Sequence, residues 1–293
     1  MDHSFANWIL AARLQTLPAA ITPVIVGSAI AQSENSFSLA PAILCAVFAV
    51  LVQVGTNFAN DYYDWKQGAD NEERKGPTRL VAAGLIAPHT MKRAAFATLA
   101  ISFLIGLSLV YWGGYWLVFI GIVSVVSAVG YTAQPIALGY RGLGDIFVIT
   151  FFGLVAVSFT AYVQLGYFPP EGWFVGLSIG LLTNNLLVVN NYRDRETDKA
   201  AGKKTLIVRF GPGIGEHLVL ASLISGLLVS LGFAFINGYW FTLPAILGLY
   251  PVYTVWKRLP RALRRSGFSV LLKKSSTGLF LFGILLSIGL VVS

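Results

Sequence analysis

The chain has 293 residues, of which 56% are hydrophobic and only 12% charged, and it carries a net charge of +8. So few charged side chains cannot coat a water-soluble domain of this size, which excludes a soluble globular protein and points to an integral membrane protein. A basic excess also accompanies nucleic-acid binding, so the positions of the charges decide what it means.

Residues before Arg13, among them Trp8, Ile9 and Leu10, read as a short interfacial helix. From Leu14 to Asn60 the only charge is Glu34, and the turn-prone run Gln32-Ser-Glu-Asn-Ser36 divides the block into two crossings of about 20 residues each. Ala29-Ile30-Ala31 resembles a signal-peptide cleavage site. Removing that segment would leave an odd helix in a regular series of hairpins, so it is expected to stay, its Pro18 and Pro23 bending a helix that neighbours support. Ala94 to Tyr140 contains no charge and breaks at Gly113-Gly114. Ile146 to Tyr192 contains only Glu171 and breaks within Gly166-Tyr-Phe-Pro-Pro-Glu-Gly172. Leu218 to Trp256 repeats the pattern around Asn237-Gly238, and Ser275 to Ser293 allows one last crossing. The predicted fold is all-α: a polytopic membrane protein with nine transmembrane helices in one bundle, a single domain over residues 1–293 built as two pseudo-repeated four-helix halves plus a ninth helix.

Under this threading all 21 Lys and Arg residues fall on one side, which the positive-inside rule makes cytoplasmic. The expected placement is a bacterial inner membrane, with the N-terminus cytoplasmic and the C-terminus opposite. Aromatics such as Tyr111, Trp112, Tyr115, Trp116, Tyr239 and Trp240 mark the other interface. Basicity therefore records topology, and no nucleic-acid partner is expected. Cys45 is the only cysteine and reads as packing in the second helix. His3, His89 and His217 have no zinc-like spacing.

The chemistry concentrates in two stretches, Asn57 to Asp70 and Asn190 to Asp198, which hold five of the seven aspartates. Asp61 and Asp64, then Asp194 and Asp198, are spaced three or four apart, so each pair shares a helix face and can offer hard oxygen ligands to a divalent cation such as magnesium. Solvated helix ends are the plain alternative. Against it, negative charge at a helix C-terminus opposes the macrodipole, and Gln53, Asn57 and Asn190 continue the polar face deeper. Arg74, Lys75 and Arg79 follow the first cluster; Lys199, Lys203, Lys204 and Arg209 follow the second. Acids for metal beside bases for oxyanions suit a magnesium-bound phosphate or diphosphate. Arg258, Arg261, Arg264 and Arg265 read as topology determinants or an anionic-lipid patch. Gly211-Pro-Gly213-Ile-Gly215 has no preceding strand and reads as a turn. Phe58, Tyr62, Tyr131 and Tyr192 lie near the cytoplasmic mouth, where ring faces stabilise cations. A transporter would place its acids at mid-depth, and here none lies there.

Asn60-Asp61-x-x-Asp64 and Asp194-x-x-x-Asp198, with nine helices around them, resemble the UbiA superfamily of intramembrane aromatic prenyltransferases. Arg13-Leu-Gln-Thr-Leu-Pro-Ala-Ala-Ile, Asn60 through Asp70, Gly76-Pro-Thr-Arg-Leu-Val, Gly139-Tyr-Arg-Gly-Leu-Gly-Asp145 and Asn190 through Leu206 are most similar to its 1,4-dihydroxy-2-naphthoate branch, which serves menaquinone synthesis. Two positions depart from the broad pattern: Gly68 stands where a third aspartate is common, with Asp70 two later, and Ile136 stands where many relatives carry a base. The resemblance implies that Asp61, Asp64, Asp194 and Asp198 hold Mg2+ on the diphosphate of a polyprenyl donor. Asn57, Asn60 and Tyr131 would stand at the reacting centre, with Arg79, Lys203, Arg141 and Asn191 around the diphosphate. An allylic cation then forms, the naphthoate ring attacks it, and the ring carboxylate leaves as carbon dioxide. Homogentisate, hydroxybenzoate and a chlorophyll-type ring remain alternative acceptors.

Overall fold

A computed structural model describes residues 5–68, 78–262 and 265–293, with the side chains of 265 and 266 left aside; every regular element among them is helical. Asp70, Arg74, Lys75 and Arg264 lie outside the described residues. The helices are α1 (Phe5–Ala12), α2 (Leu17–Ser33), α3 (Leu39–Lys66), α4 (Pro88–Leu107), α5 (Leu117–Gly130), α6 (Gly144–Leu165), α7 (Pro170–Ala200), α8 (Leu206–Phe210), α9 (Gly213–Ile236), α10 (Tyr250–Arg258) and α11 (Arg265–Val292). The breaks fall where the chain composition asks for them. Gly114, Gly166, Gly211 and Gly238 take positive φ of 83°, 82°, 84° and 77°, a region other residues enter only with strain. Pro88 and Pro170 open α4 and α7, where a missing N–H costs no intrahelical bond.

Seven stretches are long and apolar enough to cross a bilayer, counting α1 and α2 together as one. Two expected crossings are shorter. α5 has 14 residues. The stretch after α9 is broken into a 3-10 turn at Trp240–Thr242, one turn at Ala245–Gly248 and then α10, because Pro244 and Pro251 each remove an amide donor from the ladder. The last helix starts at Arg265, ten residues before the uncharged run that predicted it.

α7 is the central helix, packed against α2, α6, α9 and α11. The main core surrounds it with Ile179, Leu182, Val188, Val189, Phe282 and Leu286. A second core joins α1, α3 and α4 through Ala11, Phe58, Met91 and Ala95. Here α1 lies on α3 by Trp8, 5.5 Å from the Phe58 ring, while Phe5, Ile9 and Leu10 stay exposed, as an interfacial helix requires.

The α6–α7 crossing is close because it is made of glycine. A Cβ at Gly180 would stand 2.5 Å from the Ile149 carbonyl oxygen, and one at Gly153 would strike the Gly176 carbonyl. Residues Thr150–Val155 of α6 form a π-turn at this crossing, and Asn184 of α7 donates to the Asp145 carboxylate of α6 at 2.9 Å. Small residues one turn apart let membrane helices touch backbone to backbone. Gly180→Val should therefore destabilise the bundle by about 3 kcal/mol, the upper range for overpacking, since the blocking atom is backbone; thermal unfolding in detergent measures it.

Candidate active site

Helical spacing puts Asn57, Asn60 and Asp64 on one face of α3, and Asn190, Asn191, Asp194 and Asp198 on one face of α7. The C-terminal ends of these two helices share a cavity of about 230 Å³ that all seven residues line. Both faces look inward, so the clusters belong to one site rather than to two solvated helix ends.

Salt bridges tie the walls together. Asp64 accepts from Arg79 Nη2 at 2.6 Å and from the Tyr140 hydroxyl at 2.8 Å. Lys203 Nζ lies 3.6 Å from Asp64 Oδ1 and 3.5 Å from Asp198 Oδ1, so one ammonium bridges the two clusters. The same ammonium stands 4.7 Å from the centre of the Tyr140 ring. Asp194 is gripped by its neighbour Arg193 through Nε at 2.7 Å and Nη2 at 2.6 Å, a bidentate pairing with fixed geometry. The loop bearing Tyr140 is fastened to the segment bearing Lys203 by the Lys204 N–H, which donates to the Tyr140 carbonyl at 2.8 Å. Thr132 donates to Asn60, anchoring the other end of that loop to α3.

Asp61 and Arg141 stand apart from the cavity wall. The Asp61 carboxylate accepts from the Leu80 N–H at 3.2 Å and the Val81 N–H at 3.0 Å, and is almost fully buried. It holds the returning turn against α3, which delivers Arg79 to Asp64. Arg141 is exposed and donates to the Pro135 carbonyl of its own loop. Tyr131, Arg79 and Lys203 do line the cavity. Burial pushes the Tyr131 phenol up, the negative charge of Asp145 and then of Asp64 and Asp198 adding to it, so it stays a neutral phenol. Phe58 and Tyr192 are packing residues against Trp8 and Phe268.

Four wall residues had no individual signal in the sequence: Tyr140, Thr132, Arg193 and Thr16. Tyr140 adjoins Arg141 in a recognised string, and only the turn of the loop decides that the tyrosine points inward. Arg193 looks like any cytoplasmic base until its carboxylate partner is seen.

The donor set suits magnesium. It offers hard carboxylate oxygens from two helices with one cation already bridging them. Among the described residues no three acidic, imidazole or thiolate groups form a cage of their own. Magnesium is commonly held by one or two carboxylates, with water and substrate phosphate completing its shell.

Below the carboxylates the first cavity adjoins a second, of about 140 Å³, whose wall is almost wholly apolar: Val24, Cys45, Phe103, Leu117, Phe159 and Val163 among others. Ala19, Thr56, Phe147 and Phe152 line both. A charged mouth thus adjoins an apolar chamber.

The chain belongs to the UbiA prenyltransferase family, whose model matches residues 20–288. It is 39% identical over 222 residues to a 1,4-dihydroxy-2-naphthoate octaprenyltransferase of Mycobacterium leprae (strain TN), covering 76% of this chain and 75% of that one. It is 35% identical to the enzyme of that name from Haemophilus influenzae, covering 100% of this chain and 98% of the relative. Among solved structures it is similar to a UbiA homolog from Archaeoglobus fulgidus bound to GPP and Mg2+ (TM-score 0.68, 17% identity, covering 96% and 99%). It is also similar to the apo UbiA homolog from Aeropyrum pernix K1 (TM-score 0.69, 15% identity, covering 94% and 97%). At those identities the likeness shows a shared helical fold.

Proposed function

We propose that this protein transfers a polyprenyl group from its diphosphate to 1,4-dihydroxy-2-naphthoate, releasing pyrophosphate and carbon dioxide and giving demethylmenaquinol, the reduced form of demethylmenaquinone. The carrying observation is the meeting of Asp64, Asp194 and Asp198 with Arg79, Arg193 and Lys203 at the mouth of an apolar chamber. The names of relatives that align over most of the chain support the acceptor.

Asp64, Asp194 and Asp198 are the residues that would hold magnesium, with Asn191 and Asn60 beside them. Bound there, the ion would supply Lewis-acid neutralisation of the diphosphate. Asp61, expected to share in the ligation, also fixes the turn that carries Arg79. Lys203, Arg79 and Arg193 donate to the leaving diphosphate, whose negative charge grows as the carbon–oxygen bond breaks. Fixed charges aimed at developing charge lower that barrier most. The allylic cation left behind sits over Tyr131, Phe147 and Phe152, whose ring faces are attractive to positive charge. Apolar walls exclude the water that would quench it. A new carbon–carbon bond forms between the ring and the prenyl carbon. The bond to the carboxylate breaks, its electron pair stays with the ring, and carbon dioxide leaves. No net proton is released, so the site needs no carboxylate base.

The mouth faces the cytoplasm in this proposal. Nine crossings result if α5 and the broken stretch Trp240–Arg258 each span the bilayer; the N-terminus is then inside, the C-terminus outside, and two four-helix halves precede α11. The test is a transfer assay on purified protein with a prenyl diphosphate, magnesium and a panel of aromatic acids. Pyrophosphate and carbon dioxide in equal amounts with the naphthoate are expected. Turnover of another ring in its place refutes the acceptor, and no pyrophosphate with any acid refutes the transferase.

A further inference from the structure

Arg13 occupies a backbone conformation that its type avoids. Between α1 and α2 it sits at φ 53°, ψ 60°, in the left-handed region, where any residue with a Cβ is strained and glycine or asparagine is the ordinary choice. The surroundings hold it there from several directions. The Thr16 hydroxyl donates to the Arg13 carbonyl at 2.9 Å, and accepts from Gln53 at 2.9 Å and from Asn57 at 3.2 Å. Asn57 also donates to the Ala12 carbonyl at 3.0 Å, and Ser276 of α11 donates to the Gln15 carbonyl at 3.1 Å. Three donors from α3 and α11 thus fix one elbow. Strain of this kind persists where a side chain is needed in a particular place.

The needed place is the cavity wall, which Arg13 lines together with Thr16, Gln53 and Asn57. Arg79, Arg193 and Lys203 line the same wall beside Asp64, Asp194 and Asp198 at the mouth. The elbow is fastened to Asn57, seven residues before Asp64 on α3, so its backbone lies about 10 Å deeper at a rise of 1.5 Å per residue.

We propose that Arg13 is the residue that holds the carboxylate of the aromatic acceptor, setting both which acceptors are taken and how the ring faces the prenyl carbon. The assignment rests on the proposed use of a carboxylated ring. A planar guanidinium grips a carboxylate through two parallel hydrogen bonds, which fixes orientation as well as affinity. The amide nitrogens of Gln53 and Asn57 hold the elbow, and their amide oxygens suit ring hydroxyls as acceptors. Loss of carbon dioxide removes the charge that Arg13 holds, so substrate is retained and the neutral product is released to the lipid.

The test uses full-length protein in nanodiscs with Arg13→Gln, Arg13→Lys and Arg13→Gly. Initial rates are measured against naphthoate at saturating prenyl diphosphate, then the reverse. In Arg13→Gln the KM for the naphthoate should rise roughly tenfold or more, with partial recovery in Arg13→Lys, while the KM for the diphosphate stays within about twofold. Naphthalene-1,4-diol, which lacks the carboxylate, should inhibit wild type and variants alike. Arg13→Gly relieves the backbone, so it should unfold at or above the wild-type temperature and still lose the acceptor. An equal rise in the KM for diphosphate, or an unchanged KM for naphthoate, overturns the assignment. If wild type prenylates another aromatic acid in place of the naphthoate, the acceptor proposal fails while a raised KM for that acid in Arg13→Gln still supports Arg13; indifference to Arg13 then sinks both.

Discussion

Asp64→Asn is expected to cut prenyl transfer at least about a thousandfold while leaving the bundle folded. The substitution is nearly isosteric, so the contacts of the side chain survive in shape. What goes is the negative charge on which three groups converge: Arg79 at 2.6 Å, Tyr140 at 2.8 Å and Lys203 at 3.6 Å. Removing a single preorganised electrostatic group from a reacting centre costs about 10²–10³ in rate, and Asp64 has two such duties. It is a candidate metal ligand, and it also aims the cations that receive the diphosphate. Rates of pyrophosphate release, with unfolding temperature as control, check the outcome. Retained turnover would remove α3 from the metal site. EDTA should silence the wild type in the same assay, and magnesium should restore it.

The helical hairpins were legible because each turn carries its own chemistry: the positive-φ glycines and the prolines at helix starts fall in the expected breaks. Helix ends were not, because an uncharged run measures the thickness of hydrocarbon while the backbone ladder continues past it. Hence α7 runs to Ala200 and α11 begins at Arg265, well beyond their apolar cores. The eighth expected crossing is broken into short turns for a reason that hydropathy does not carry. Its hydropathy is unbroken, yet two prolines interrupt the hydrogen bonds that hydropathy does not register.

The candidate site divides in a similar way. Spacing alone predicts that α3 and α7 each present a polar face, and both faces line one cavity. Spacing does not rank Asp61 against Asp64, since residues three apart differ by only about 60° around a helix. Nor does spacing reveal the turn after α3, two of whose N–H groups donate to the Asp61 carboxylate. Arg13 shows the same limit. Its string was readable as a resemblance, but the left-handed elbow that aims it depends on Gln53, Asn57 and Ser276, all remote in sequence.

Lys203→Met is expected to have the second largest effect, about a hundredfold loss of rate, with a signature that separates it from a basic residue serving topology alone. The ammonium is partly buried, its side chain 19% exposed, and lies between carboxylates that are themselves 6% and 11% exposed. Methionine keeps most of the stem, so packing changes little. Without the bridging charge, Asp64 and Asp198 face each other with less compensation. Uncompensated charge in a partly buried site destabilises by about 1–2 kcal/mol once solvent screening is allowed for. The metal-free variant should therefore unfold at a lower temperature than wild type. The same repulsion makes the site a better trap for a divalent ion, and a ligand that binds only the folded state raises its stability in proportion to affinity. Magnesium should then raise the unfolding temperature of Lys203→Met more than that of wild type, even as turnover falls. A lysine that merely orients the chain in the membrane would change neither the rate nor the magnesium response, and that pair of null results would remove the bridge from the site.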